Sequence, residues 1–163
     1  MNRKDYNMAV RSLSDKIYAF ALKFIGDEEV AKDMVQDAYE RLWINLDKIE
    51  AGKAKSFLYK TVYRLCVDYS RKVKVRLKYE QENIDSTYAT PENEFFDTSE
   101  HLNAALATLP EIQRSVLLLR DLEGYTYEQI GEITGLNESQ VKVYIYRARK
   151  AVKNYFEKLE KVK

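Results

Sequence analysis

The chain has 163 residues with a formal net charge of +1, and 45% of them are apolar. It contains 5 glycines, 2 prolines and 1 cysteine, a composition that favours helices and excludes a glycine-punctuated sheet protein, an intrachain disulfide and a cysteine metal cluster. The N-terminal stretch MNRKDYNMAV lacks the apolar core of a secretion signal, and no apolar run is long enough to span a bilayer. We therefore expect a cytoplasmic all-α protein without membrane insertion.

Charge is segregated along the chain. Residues 53–78 carry nine Lys or Arg and one acid, Asp68, whereas residues 80–100 carry seven acids and no Lys or Arg. Residues 138–163 carry eight basic residues against three acidic ones. Two basic blocks separated by an acidic one indicate two contacts with a polyanion, although solvated helix faces would give the same pattern.

Hydrophobic periodicity predicts three helices in the first part of the chain. Apolar residues at steps of three and four run through residues 10–24, and Gly26 ends this first helix. Asp27 is a candidate N-cap for a second helix, and a third apolar stripe begins at Leu58. These helices predict one small domain over residues 1–77.

A second helical domain is predicted beyond an acidic segment. Periodicity fails over residues 78–97, which are polar and interrupted by Pro91, so we expect a flexible linker there. Periodic apolar residues return over residues 98–163, where Pro110 and Gly124 separate successive helices.

Two capping boxes near the C-terminus predict a helix-turn-helix. Thr126 pairs with Gln129 in the first box, and Asn137 pairs with Gln140 in the second. Gly135 between them can adopt the positive φ that a tight turn requires. The turn is therefore only about three or four residues long, as in helix-turn-helix proteins.

The last helix has a polar face suited to DNA. A helix in the major groove needs polar side chains near its N-terminus for base edges and cations farther along for phosphates. An amphipathic helix kept soluble by its lysines is the alternative interpretation. The candidates are Glu138, Ser139, Gln140 and Lys142 for base edges, and Arg147, Arg149, Lys150 and Lys153 for phosphates.

The segment YTYEQIGEITGLNESQVKVYIYRARKAVK resembles the fourth-domain helix-turn-helix of the extracytoplasmic-function (ECF) RNA polymerase sigma factors, which belong to the sigma-70 family. The resemblance implies a non-enzymatic bacterial factor that directs core RNA polymerase to promoters and helps to melt DNA, without cofactor or metal. Val143 and Tyr144 replace the family's usual small polar and basic residues, so we expect a divergent promoter sequence. The implied upstream-element residues are Arg120, Thr126, Glu138, Ser139, Gln140, Lys142, Val143, Tyr144, Tyr146, Arg147 and Arg149.

The segment AKDMVQDAYERLW resembles the polymerase-binding helix of the same family. The resemblance implies that Asp33, Gln36 and Asp37 contact the clamp helices of the largest catalytic subunit. From the residues alone, an acidic surface helix is the alternative. The resemblance also implies contact with the polymerase flap, with promoter DNA and with a separate anti-sigma factor.

The segment SFLYKTVYRLCVDYSRK resembles the loop and helix that open the downstream promoter element. Tyr59 and Tyr63 are candidates for stacking on exposed bases, although tyrosines at helical spacing also fit a core. Phe57 and Arg64 depart from the family's usual tryptophan and asparagine, so we expect altered downstream specificity. The downstream-element candidates are Tyr59, Tyr63, Arg64, Asp68, Arg71, Lys72, Lys74 and Arg76.

Two other functions compete with this interpretation. A helix-turn-helix repressor or activator would bind operator DNA as a symmetric dimer, but it leaves residues 33–43 without a role. An enzyme acting on nucleic acid would need a partnered nucleophile, a phosphate-binding glycine loop or a metal site. The sequence offers a single histidine, His101, and none of these motifs.

Overall fold

The computed structural model describes residues 1–83 and 98–162, which form helices joined by short turns, with no β-strand among them. The predicted all-α class is confirmed. No helix within these two ranges is long and apolar enough to cross a membrane. The helices are α1 (Arg3–Ile25), α2 (Glu28–Ile44), α3 (Ala54–Asn83), α4 (Thr98–Ala107), α5 (Glu111–Leu117), which continues as a π-helical turn over Leu118–Leu122, α6 (Tyr127–Thr134) and α7 (Glu138–Val162).

Local capping fixes the boundary between α1 and α2. Gly26 ends α1 with a φ of 79°, a left-handed conformation that glycine adopts without steric penalty. Asp27 then caps α2, because its carboxylate accepts a hydrogen bond from the Val30 amide at 3.1 Å. Both signals were predicted from sequence.

The first three helices pack against one another around a common core. Phe20 of α1, Leu42 of α2, and Leu58 and Val62 of α3 are fully buried there. Cys66 is buried in the same core, and burial raises the pKa of its thiol to about 12. These helices form the first helical unit.

The remaining helices form a second unit. α7 packs against α4, α5 and α6, and its inward-facing Val141, Ile145 and Ala148 are buried. Val116 of α5 and Ile130 of α6 complete this core. The apolar stripes predicted from periodicity therefore coincide with the buried faces of α5 to α7.

α3 is longer than predicted. It continues to Asn83, although the sequence analysis began the linker at residue 78. No proline interrupts the chain before Pro91, and Arg76 pairs with Glu80 at 4.0 Å one turn later, which supports a helix. Residues 84–97 of the predicted linker lie outside the described residues.

The two units pack against each other, a contact that the sequence analysis did not predict. α1 contacts α4, and α3 contacts α5 and α6. The guanidinium of Arg114, buried in the second unit, donates a hydrogen bond to the Phe24 carbonyl of the first unit at 2.8 Å. That carbonyl lies in the last turn of α1, where carbonyls lack helical partners, so Arg114 caps α1 from the other unit.

Candidate nucleic-acid interface

The helix-turn-helix is built by the two predicted capping boxes. Thr126 Oγ1 accepts from the Gln129 amide at 3.1 Å, and Gln129 Oε1 accepts from the Thr126 amide at 2.9 Å. Asn137 and Gln140 exchange the equivalent bonds at 2.8 and 3.0 Å. Gly135 ends α6 with a φ of 80°, so the turn occupies residues 135–137. This predicted geometry is confirmed.

A close approach inside this motif depends on Gly131. A Cβ atom at this position would lie 2.7 Å from the backbone oxygen of Leu136, a distance that real Cβ atoms do not reach. Glycine therefore lets α6 approach the turn that follows it. No pattern in the sequence indicated this requirement for glycine.

The outward face of α7 carries most of the predicted upstream-element side chains. Packing of Val141, Ile145 and Ala148 fixes the rotation of the helix about its axis. Tyr144 differs from the others, since its ring is half-buried against the core, with the Arg147 guanidinium 5.9 Å from the ring centroid. The exposed candidates are Glu138, Ser139, Gln140, Lys142, Val143, Tyr146, Arg147 and Arg149.

Two cations of α7, Arg149 and Lys142, form ion pairs within the protein. Arg149 donates two hydrogen bonds to the Asp121 carboxylate, at 2.6 and 3.1 Å, which raises the pKa of Arg149 further. Lys142 pairs with Glu138 at 3.3 Å. A DNA phosphate would therefore have to displace a carboxylate from each of these cations.

Arg120 lies in the π-helical turn ahead of the motif and is half-buried. Its guanidinium donates to the Tyr125 carbonyl at 2.8 Å and lies 4.7 Å from the ring centroid of Tyr127. These contacts hold the side chain beside the N-terminus of α6. Thr126, the next candidate along the chain, is exposed there, but its hydroxyl is used by the capping box.

The predicted downstream-element side chains lie along α3. Lys74 also forms an ion pair with Glu111 of α5 at 2.7 Å, which links the two units. The exposed cations of α3 form a basic face on the half of the helix that extends beyond the first core. The exposed candidates are Arg64, Asp68, Arg71, Lys72, Lys74 and Arg76.

Tyr59 does not lie on an exposed surface. Its side chain is fully buried, and its hydroxyl donates to the Glu123 carboxylate of the second unit at 2.7 Å. Burial and this carboxylate raise the pKa of the Tyr59 phenol. Its ring packs edge-on against Tyr125, with centroids 5.1 Å apart. In this arrangement Tyr59 is a core residue, and the second unit covers the ring that was expected to stack on bases.

Tyr63 has a different environment from Tyr59. It is half-buried, and burial raises its pKa against the opposing effect of Arg71 and Arg64. Both arginines belong to the exposed set on α3. The candidate aromatic residue and these cations therefore occupy the same region of the helix.

The predicted polymerase-binding residues share one face of α2. Asp33 and Gln36 are exposed, and Asp37 is half-buried. Arg41 donates to both oxygens of Asp37, at 3.1 and 3.3 Å, and so partly neutralises it. In residues 1–83 and 98–162, no group of three or more His, Cys, Asp or Glu side chains could hold a metal ion.

Comparison with known proteins shows the family of the chain. Residues 9–76 match the Sigma-70 region 2 family, and residues 99–152 match Sigma-70, region 4. The ECF RNA polymerase sigma factor SigE of Mycolicibacterium smegmatis is 28% identical over 155 residues, covering 91% of this chain and 60% of SigE. The RNA polymerase sigma factor SigV of Bacillus subtilis is 30% identical over 137 residues, covering 83% of this chain and 81% of SigV. The chain belongs to the ECF RNA polymerase sigma factors.

The fold of this ECF sigma factor is shared with a solved relative. The sigma factor RpoE from Bartonella quintana, crystallised with the anti-sigma factor NepR, superposes with a TM-score of 0.73 at 23% identity, covering 94% of this chain and 98% of that one. A dimeric operator-binding regulator, the alternative considered from sequence, is not favoured. It would leave the region 2 match at residues 9–76 without a role.

The sequence did not reveal which residues hold the candidate side chains of this ECF sigma factor in place. Asp121 binds Arg149, Tyr127 lies beside Arg120, and Glu123 binds Tyr59. These contacts join residues that are distant in sequence or lie in irregular turns, where periodicity carries no signal. The aromatic-rich YTYEQ segment at the start of α6 was the one available hint of Tyr127.

Proposed function

We propose that this ECF sigma factor binds core RNA polymerase, directs it to promoters that have two separate elements, and helps to melt the DNA. The observation that carries the proposal is the presence on one chain of a region 2 match at residues 9–76 and a region 4 match at residues 99–152. These matches support two functional domains, residues 1–77 and 98–163, joined by residues 78–97. The protein would act in the cytoplasm by binding, without catalysis.

The second domain is proposed to bind the upstream element. Glu138, Ser139 and Gln140 lie at the exposed N-terminal end of α7, the end that meets base edges in helix-turn-helix complexes. Arg147 and Arg149 lie farther along, where cations meet phosphates. Val143 and Tyr144 between these groups are the proposed source of a divergent promoter preference.

The first domain is proposed to bind the downstream element through the exposed cations of α3. Arg64 and Arg71 would hold the strand backbone beside Tyr63, which can stack on an unpaired base. Tyr59 would meet a base only after the second unit moves away from α3, because Glu123 and Tyr125 cover it in the closed arrangement.

The exposed face of α2 is proposed to bind the polymerase clamp helices, with the second domain contacting the flap. Asp33 offers a carboxylate to a cation, and Gln36 can both donate and accept hydrogen bonds. Charged and amide side chains at such positions set binding specificity when a partner desolvates them.

Affinity for core polymerase tests this assignment. We expect Gln36→Ala and Asp33→Asn to weaken binding of the full chain to core polymerase about tenfold each, by loss of about 1.4 kcal/mol of hydrogen bonding to a desolvated partner. Glu28→Gln is the matched control, since Glu28 is exposed in the first turn of α2, about 140° around the helix from Asp33 and about 12 Å along its axis from Gln36. Equal affinity of all three variants and the wild type would contradict the assignment.

An anti-sigma protein is a further proposed partner. The support is that the solved RpoE relative is in complex with an anti-sigma factor. A protein that co-purifies with the full chain and blocks its transcription in vitro would support this partner. A chain that purifies alone from its native cells, and is fully active there without induction, would contradict it.

A further inference from the structure

Cations surround the ring of Tyr127 at the start of α6. The Arg120 guanidinium lies 4.7 Å from the ring centroid, and the Lys142 ammonium lies 5.6 Å from it. Two of the proposed upstream-element cations therefore meet at one aromatic residue that has no assigned role.

The position of Tyr127 is fixed by its backbone and by packing. It is the first residue of α6, directly after the N-cap Thr126, whose capping box with Gln129 closes the first turn. Its ring is half-buried and packs against the core of the second unit. A ring held in this way is a rigid support for the flexible side chains around it.

Arg120 and Lys142 come from different elements, the π-helical turn and α7. Two cations brought together at one site repel each other, whereas the negative face of an aromatic ring attracts both. The side chain of Lys142 remains 56% exposed, so a phosphate can reach its ammonium by displacing the Glu138 carboxylate, which lies 3.3 Å away. The ring thus gathers positive charge without occupying the donors that a phosphate would use.

We propose that Tyr127 is a positioning residue that holds Arg120 and Lys142 together for contact with the phosphates of one DNA strand at the upstream element. The inference rests on the proposed function and deepens it. Tyr127 itself contacts no base in this scheme. It orders the cations before DNA binds, so that less side-chain entropy is lost when the phosphates arrive.

Three variants of the full chain separate this role from simple packing. Tyr127→Phe keeps the ring, whereas Tyr127→Leu keeps an apolar side chain and removes the ring. Tyr155→Leu is the matched control, because Tyr155 is a half-buried tyrosine of the same unit that packs edge-on against Phe156, outside the proposed DNA surfaces.

Promoter binding by the complex of each variant with core polymerase is the first measurement, made over a series of salt concentrations. For Tyr127→Leu we expect about fivefold weaker binding, since each cation–π contact contributes about 0.5–1 kcal/mol at an exposed site. We also expect a salt dependence shallower by about one phosphate contact. Tyr127→Phe and Tyr155→Leu should match the wild type in both. An unchanged salt dependence for Tyr127→Leu would overturn the inference.

The second measurement is the NMR spectrum of the free full chain. The side-chain protons of Arg120 should show ring-current shifts that persist in Tyr127→Phe and vanish in Tyr127→Leu. Absence of these shifts in the wild type would also overturn the inference. If the wild-type complex fails to bind any promoter, the proposed function fails. The NMR shifts, together with the affinity of the free chain for a short mixed-sequence duplex, would then still decide whether Tyr127 positions the cations.

Discussion

Arg114 is a buried cation whose hydrogen bonds are met by backbone carbonyls. Besides the Phe24 carbonyl of the first unit, its guanidinium donates to the carbonyls of Leu106 at 2.8 Å and Leu109 at 3.0 Å. Its planar group also lies 4.8 Å from the ring centroid of Phe24. Burial lowers the pKa of Arg114, and the nearby Glu111 opposes this effect. An arginine suits this site because its rigid fork of donors can reach several acceptors at once.

Replacing Arg114 by leucine should destabilise the protein strongly. Arg114→Leu leaves buried carbonyls of both units without donors, so we expect the free energy of unfolding to fall by about 3 kcal/mol or more. Urea unfolding followed by circular dichroism measures this change. Arg76→Leu is the control, because the Arg76 side chain is 68% exposed and its ion pair contributes less than about 1 kcal/mol. Similar losses for the two variants would contradict the role given to Arg114.

For single residues, the sequence predicted the hydrogen bonds between side chains and backbone groups that are close along the chain. The caps at Asp27 and Thr126 involve residues three positions apart, and both have the expected bonds. The sequence left open whether Tyr59 is buried, because its partner Glu123 lies 64 positions away. Helical spacing alone cannot distinguish a tyrosine that faces a core from one that faces solvent.

The helix-turn-helix depends on how closely α6 approaches the turn that follows it. Gly131 lies where α6 passes the Leu136 carbonyl, and α6 and α7 pack through Ile130, Ile133 and Val141. The crossing of these helices sets the direction in which α7 projects. Adding one methyl group at Gly131 would therefore push α6 away from the turn and change the orientation of the DNA-binding face of α7.

Gly131→Ala should destabilise the motif although alanine is the better helix former. Alanine favours a helix by about 1 kcal/mol over glycine, but its Cβ would meet a backbone oxygen that cannot move aside. We expect a net loss of about 1–2 kcal/mol in the free energy of unfolding, together with weaker promoter binding. In Gly52→Ala, the control, no atom lies within 4 Å of the added Cβ, so the stability should be unchanged or raised. Raised stability in Gly131→Ala would contradict this account of the turn.

For the elements, periodicity located the apolar stripes of α1 to α7, because each helix buries one face. It placed the end of α3 too early. The side chains of residues 78–81 are all exposed, and a helix that extends beyond its core has no buried stripe to detect. The chemistry of the turns was visible in the sequence, whereas the close approach at Gly131 required the packed structure.

In the whole molecule, the two units share an interface as well as having their own cores. Tyr59 of α3 is bound by Glu123, and Lys74 of the same helix is bound by Glu111. No pattern in the sequence indicated this interface. Contacts between units depend on three-dimensional complementarity that neither periodicity nor charge distribution encodes.

A shared interface predicts that the free protein unfolds in one transition. Trp43, the only tryptophan, lies at the end of α2 and reports on the first unit by fluorescence, while far-UV circular dichroism reports on the helices of both. We expect the two urea unfolding curves to superimpose, because loss of one unit exposes the buried face of the other. Two separated midpoints would show that the units are energetically independent.

Transcription by purified core RNA polymerase tests the central claim most directly. Genomic DNA fragments would be transcribed with and without the full chain, and the 5′ ends of the transcripts mapped. We predict discrete start sites that require the chain and share two sequence elements at a constant separation, because two domains of one factor would bind them together. Transcripts that are the same with and without the chain, on DNA from its native genome, would contradict the account.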